Sequence, residues 1–414
     1  YFLREFLEHM SNVGLRVYTY GIKLPSKKKK RVSRLLFGVI ANIILLDWLI
    51  DRLGLELDRN LMRVLLYRFV IERNLEALRR LRDVINIDVD AVYEKALSLL
   101  ETIDFLPTVK RLSIRYSYPE FFVRRLLRFF RPDKLERLLA TMNNRPSHVW
   151  VCVNINRCDP EDVVSILEGE GFKVSRDNEF YDVLRIDRMP TRVEKSAAYR
   201  RGLIIIADKA SVAATHALEP RDGETILDMC AAPGIKLICT AFKIGYGEIV
   251  AVDISDRRMR RLRKLIKRFG IDHVDIKTMI ADSRMLAPDA IPPPDKILVD
   301  AECSSSGIIA KAPDVKLRLS KDRIARLSRL QKELLLNALR IAEHACSKYV
   351  VYSVCSLLPE EAEYVVRGAG TPNYAIDDPN VGAPAYILNV GRRYFPHTHG
   401  TIGLYIARFK RLSL

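Results

Sequence analysis

From about residue 203 onward the chain alternates short β-branched runs with stretches of helical periodicity, and this pattern constrains the fold more than any other feature. The runs predict strands at 225–229, 248–252, 277–281, 296–300, 348–353, 385–390 and 402–409. Strands separated by helices build a doubly wound, mostly parallel sheet. In such a sheet the ligand crevice lies outside the carboxyl ends of the strands, so the residues found there matter most. The run Ile297-Leu-Val-Asp300 spills into Ala301-Glu-Cys303-Ser-Ser-Ser-Gly307, and Val350-Val-Tyr-Ser-Val354 spills into Cys355-Ser356. Two strand-end cysteines, Cys303 and Cys355, can therefore face one pocket. A third passage, Ile226-Leu-Asp228 into Met229-Cys230-Ala231-Ala232-Pro233-Gly234-Ile235-Lys236, puts small residues where a helix begins.

Small residues at a helix N-terminus let the backbone approach a ligand. The next strand ends in Asp253, a position that typically takes ribose hydroxyls. Asp282 follows the third strand and is expected beside the base of the same ligand. Each acid taken alone could be a helix N-cap, but three in register at successive strand ends point to one nucleoside-bearing cofactor. Free cysteines are often inert and buried. Polar, Ser-rich loops argue instead for reactive thiols, and a low-pKa thiolate is a nucleophile.

Residues 1–108 carry little glycine, and apolar residues recur at helical spacing, as in Leu61, Val64, Leu65 and Phe69. An all-helical domain of five or more helices is expected there. The charge run Lys27 to Arg31 is either a solvated loop or a contact to nucleic-acid phosphates. The apolar run Leu35 to Leu46 contains Asn42 and is too short to span a bilayer, so it reads as a buried bundle helix. Residues 109–202 read as two linker helices followed by a small α+β domain. Its strands are His148 to Val153 and Asp182 to Ile186, and Asp159 caps a helix that starts at Pro160. The third domain is then 203–414. The segment Arg257 to Arg268 holds eight Lys or Arg residues on one side of an apolar stripe formed by Met259, Leu262, Leu265, Ile266 and Phe269.

Sixty-eight Lys and Arg against 51 Asp and Glu give a net charge of +17. A chain this basic calls for a polyanionic partner, nucleic acid first. The seven cysteines are odd in number in a large chain, which excludes a disulfide framework and points to a reducing cytoplasm. Cys152 and Cys158 lack a second cluster, and His397 and His399 lack an acidic partner, so no metal is expected. No signal peptide is visible, no membrane partner is expected, and a monomer is expected.

The three strand-end motifs resemble those of the RsmB/Nop2/Sun family of RNA cytosine-C5 methyltransferases. That family reads DxCAAPGGKT, then DAPCSGSG, then YSTCS followed by ENE. The matching stretches are Asp228 to Lys236, Asp300 to Gly307, and Tyr352 to Glu363. Arg393-Tyr-Phe-Pro-His397-Thr-His399-Gly-Thr-Ile-Gly403 resembles the family's closing FPHxHxTxGF, and Ser117 to Arg125 resembles its SHPEWLVRR. The resemblance implies a Rossmann-like catalytic domain with a mostly parallel seven-stranded sheet whose last strand is antiparallel. By order and helicity it also implies a NusB-like front domain. It implies S-adenosylmethionine as cofactor, held by Cys230 to Lys236, Asp253, Arg258, Asp282 and Asp300. Cys355 is the implied nucleophile toward cytosine carbon 6, and Cys303 assists release. Asp300 binds the base edge, and Lys236 positions the cytosine. The substrate is implied to be ribosomal RNA, with transfer RNA close behind. The chain departs from the pattern at Ile235, Glu302 and Ala362. Glu302 is expected to raise the pKa of the adjacent Cys303. The alternative reading is an RNA-binding assembly factor that keeps the fold without turnover; DNA cytosine methylation is disfavoured by Cys355 and by the helical domain.

Overall fold

The computed structural model describes residues 25–74 and 88–412, together with residues 5, 7 and 8. The chain divides into two compact units, Tyr1–Arg145 with Ile308–Lys321, and Pro146–Gly307 with Asp322–Leu414. This differs from the three segments expected. The boundary expected at 108 falls ahead of helices Thr108–Tyr116, Glu120–Leu126 and Pro132–Asn143, which belong to the first unit. Three helices stand where two were expected.

Further helices of the first unit are Ser26–Ala41, Ile43–Leu53, Arg59–Leu66 and Val89–Thr102. The five or more expected before residue 108 partly fall outside the described residues. Asp58 and Asp88 cap two of the helices by accepting from Leu61 N–H at 2.9 Å and from Asp90 and Ala91 N–H. The run Leu35 to Leu46 is not one helix. It breaks at Asn42 into two helices meeting at 73°, and the Asn42 amide donates to Gly38 O at 2.8 Å. Val39, Ile40, Leu46 and Leu49 from both halves share one core with Met62, Leu65 and Leu66. Among the described residues no single helix is long and apolar enough to cross a membrane. Lys27 to Arg31 lie in the first turns of Ser26–Ala41 rather than in a loop.

The inserted segment Ile308–Lys321 anchors in this unit through one buried lysine. Lys316 Nζ donates to Ala41 O at 2.7 Å, Tyr116 O at 2.9 Å and Asn143 Oδ1 at 2.6 Å, and lies 3.9 Å from the Tyr118 ring centroid. Ala41, Tyr116 and Asn143 are the last residues of three helices. The ammonium thus meets the negative backbone ends of two helices, which stabilise a cation, and a side-chain amide oxygen at the end of a third. Burial pulls its pKa well below the ordinary lysine value.

The second unit contains two sheets. The smaller is antiparallel, ordered β2-β3-β1-β4, with β1 Val149–Val153, β2 Lys173–Arg176, β3 Val183–Arg188 and β4 Ile204–Ile206. A boundary at 202 would cut β4 from its partner β1. Helix Pro160–Gly169 starts as the sequence predicts, with Asp159 accepting from Glu161 N–H at 2.9 Å.

The larger sheet has nine strands rather than seven. Five are parallel, in the order β7-β6-β5-β8-β9: β5 Thr225–Asp228, β6 Glu248–Asp253, β7 Asp275–Ile280, β8 Lys296–Asp300 and β9 Tyr349–Val354. The last strand, β13 Leu404–Arg411, is antiparallel to β9. Its other edge pairs with β10 Tyr374–Asp377 and β12 Arg392–Tyr394, and β12 pairs with β11 Ala383–Pro384. The strand expected at 385–390 does not form. Asn389 and Gly391 turn the chain at φ 61° and 102°, which an extended strand excludes, and Leu388 is exposed. Strand order reverses between β5 and β8, so the crevice lies at their carboxyl ends.

Candidate active site

Four acids stand at or just beyond neighbouring strand ends. Asp228 closes β5, Asp253 closes β6, Asp282 follows β7 by two residues, and Asp300 closes β8. Between β5 and helix Ile235–Ala241 runs the small-residue loop, and Asp253 organises it. One Asp253 oxygen accepts from Ala232 N–H at 3.2 Å and pairs with Arg258 at 3.3 Å; the other accepts from Ser255 N–H at 2.9 Å. Arg258 also donates to Ala232 O. Ala231 N–H donates to Val252 O at 2.9 Å, and the Ala232–Pro233 bond is cis. Gly234 has φ 109°, and a Cβ there would lie 2.4 Å from Leu262 Cδ1, so the turn into the helix requires glycine.

Asp228 is buried and accepts from Cys230 N–H at 3.3 Å. Burial, then the charge of Asp300, pushes its pKa up to about 7. Asp282 is held by Arg284 through three contacts of 2.7–3.1 Å, which lower its pKa. Two apolar side chains the sequence analysis passed over border these acids: Ile254, 66% exposed directly after Asp253, and Met285, 79% exposed three residues after Asp282.

On the other side of the crevice the sheet brings the two cysteines together. Asp300 pairs with Ser353 across β8 and β9, and the Ser353 hydroxyl donates to Asp300 Oδ1 at 2.8 Å. Three residues beyond Asp300 and two beyond Ser353, Cys303 Sγ and Cys355 Sγ stand 3.2 Å apart as free thiols. Lys236, in the first turn of its helix, reaches Asp300 Oδ2 at 2.7 Å. Burial opposes the charge on Lys236, but Asp300 outweighs it and raises the lysine's pKa.

The two thiols are not equivalent. Hydrogen bonding from Cys303 draws the Cys355 pKa below the usual thiol value against burial and Asp300, with Lys236 and Ser305 assisting. Cys303 is pushed well above it, by Cys355 first, then by burial and the charge of Glu361. Cys355 is therefore the more easily ionised of the two thiols.

The carboxylate that acts on Cys303 is Glu361, not the adjacent Glu302. Glu302 is exposed and enters the site only through its backbone O, which accepts from Gln331 at 2.7 Å. Glu361 is fully buried. It accepts from Ser304 N–H at 2.7 Å, the Ser356 hydroxyl at 2.6 Å, Gln331 at 3.2 Å and the Ser304 hydroxyl. It thus ties the Cys303 loop to the Cys355 loop. Glu363 pairs with buried Arg393 at 2.6 Å, and Arg393 donates to Ser356 O at 2.9 Å. Ala362 between them packs into the core. The backbones of Gly307 and Gly403 are in close contact, and a Cβ on Gly307 would lie 1.9 Å from Gly403 O. His399 Nδ1 accepts from Phe395 N–H at 2.9 Å. Among the described residues no group of three or more His, Cys, Asp or Glu side chains could hold a metal ion.

Residues 215–410 match the family model for 16S rRNA methyltransferase RsmB/F, and residues 118–194 match that for the ferredoxin-like domain of RsmF/B-like methyltransferases. The chain belongs to the RsmB/F methyltransferase family. Enzymes of the RsmB/F family use S-adenosylmethionine. The chain is 30% identical over 361 residues to the human 28S rRNA (cytosine(4447)-C(5))-methyltransferase, covering 81% of this chain and 43% of that protein. It is 27% identical over 419 residues to ribosomal RNA small subunit methyltransferase B of Klebsiella pneumoniae, covering 93% and 91%. The crystal structure of PH0851 superimposes with a TM-score of 0.74 at 27% identity, covering 95% of this chain and 93% of that one. The chain spans less than half the length of the human relative and its mouse counterpart.

Proposed function

We propose that the chain transfers a methyl group from S-adenosylmethionine to carbon 5 of a cytosine in ribosomal RNA, through a covalent bond between Cys355 and carbon 6. The observation that carries this reading is the pair of unequal thiols 3.2 Å apart beside the Lys236–Asp300 pair. The acid cluster fits the cofactor. Asp228 is driven upward by burial first and then by the charge of Asp300, and a sulfonium cation placed there would offset both. The loop from Cys230 to Lys236, Asp253, Arg258, Asp282 and Asp300 would hold it, with Ile254 and Met285 against its base. When bound, the cofactor supplies an electrophilic methyl group.

Carbon 5 of cytosine is a poor nucleophile until a thiolate adds to carbon 6. The Cys355 thiolate makes that bond. Asp300 holds the base edge, and Lys236 offsets the charge the ring takes up. Adduct formation removes the negative sulfur that had held the Cys303 pKa up, so Cys303 releases its proton to solvent water and stands as thiolate. Cys303 then accepts the carbon-5 proton, the carbon-6–sulfur bond breaks, and Cys355 leaves as thiolate. The helical first unit, in the position of a NusB-like domain, and the small sheet would dock folded RNA, with the target base flipped out of its stack.

Transfer of labelled methyl to ribosomal RNA tests the activity, and its absence would favour the assembly-factor reading. Transfer to transfer RNA alone would move the substrate. Cys355→Ala is expected to abolish turnover and any adduct, whereas Cys303→Ala is expected to accumulate an enzyme–RNA species on a denaturing gel. The opposite pattern would exchange the two roles.

A further inference from the structure

Ser305 has φ 62°, a backbone conformation that L-residues rarely adopt because the side chain crowds the neighbouring carbonyl. Other non-glycine residues with positive φ have local explanations. Ser117, Glu219 and Cys346 follow the last residues of helices, Arg73 follows the cap of the helical turn Tyr67–Ile71, and Asn380 and Asn389 are of a type that tolerates the conformation. Ser305 has neither. It stands mid-loop between Cys303 and Gly307, where the pattern DAPCSGSG has glycine. The loop is fixed on both sides of it. Ser304 bonds Glu361, and the Ser306 hydroxyl accepts from Leu357 N–H at 2.9 Å and lies 3.1 Å from the Ser356 hydroxyl. Strain that persists at one residue between two anchored neighbours is a mark of function.

The conformation has a consequence for both sulfurs. The Ser305 backbone N–H favours the ionised form of Cys303, and the Cys355 thiol is placed to donate to the Ser305 hydroxyl at 3.8 Å, a contact in which the hydroxyl becomes the donor once the thiol ionises. We infer that Ser305 is a further catalytic residue: its hydroxyl donates a hydrogen bond to the Cys355 thiolate, and the left-handed backbone serves to aim it there. The inference rests on Cys355 being the nucleophile. Ser305 also contributes to the lowered pKa of Cys355, behind Cys303 and Lys236.

Two variants separate the hydroxyl from the backbone. Ser305→Gly removes the hydroxyl and relaxes the backbone; Ser305→Ala removes the hydroxyl and keeps the Cβ. The assay is the pH dependence of iodoacetamide alkylation at each cysteine, read by peptide mass spectrometry on the full chain. Loss of one hydrogen bond to a charged sulfur is expected to slow Cys355 alkylation near neutral pH by about three- to ten-fold and to move its midpoint upward in both variants. Ser305→Gly should resist thermal unfolding at least as well as wild type, because glycine suits this φ. A Ser305→Ala profile that overlays wild type would overturn the inference, even if Ser305→Gly reshaped the loop. Wild-type protein alkylated faster at Cys303 than at Cys355 would instead overturn the nucleophile assignment, and this inference with it.

Discussion

The raised pKa of Asp228 makes a quantitative demand on the stability of the second unit. In an unfolded chain the carboxyl titrates at its ordinary value of 3.8; in the fold, burial and Asp300 push it up to about 7. Between these values the folded state binds more protons than the unfolded state. Stability is therefore greatest below the unfolded pKa and is lost as pH rises through the folded one. A difference of about three pKa units at 1.36 kcal/mol each makes the ionised Asp228 cost about 4 kcal/mol by pH 8. Asp228→Asn removes that charge and keeps an oxygen for the Cys230 N–H, which wild type bonds at 3.3 Å. The variant is expected to match wild type near pH 4 and to gain progressively, by about 1.5 kcal/mol at pH 5 and about 4 kcal/mol at pH 8. Hydrogen–deuterium exchange of the β5, β6 and β8 amides reads this without interference from the helical unit. Comparing the two proteins at one pH cancels the intrinsic exchange rate. A stability gap that stayed constant between pH 5 and 8, or a variant less protected throughout, would refute the argument.

Other outcomes follow from the same geometry. Asp253→Ala frees the N–H groups of Ala232 and Ser255, and calorimetry should show S-adenosylmethionine binding weakened about ten-fold or more in a folded protein; unchanged affinity would remove Asp253 from the site. Lys316→Met leaves three helix-end acceptors without their donor, and exchange protection in helices Ser26–Ala41 and Thr108–Tyr116 should fall by about 3 kcal/mol or more; equal protection would mean that the lysine anchors nothing. With a net charge of +17, RNA affinity should drop steeply as salt rises, and a flat log–log plot would oppose a phosphate-dominated interface.

The chemistry at the strand ends was legible in the sequence because it is local. A β-branched run ending in an acid or a cysteine identifies itself within a few residues, and so β5, β6, β8, β9 and β13 stand close to where the runs place them. The same locality explains the failures. The 385–390 run has strand composition, but Asn389 and Gly391 turn it, and only the finished β12–β13 pairing shows which residues extend. The helices after residue 108 and the inserted lysine belong with the first unit because of packing partners far away in sequence, which no window reveals.

Within the site, the sequence determined which residues could carry charge or a sulfur. The tertiary structure decided which of them meet. Cys303 and Cys355 are 52 residues apart, and only parallel pairing of β8 with β9 sets their sulfurs at 3.2 Å. The neighbour by number, Glu302, turns outward, while Glu361, 58 positions from Cys303, lies buried within the serine network. Electrostatic influence follows distance through a low-dielectric interior rather than position along the chain. That is why the resemblance could imply a nucleophile, and the folded sheet was needed to give a physical reason for Cys355 to be the more acidic of the two thiols.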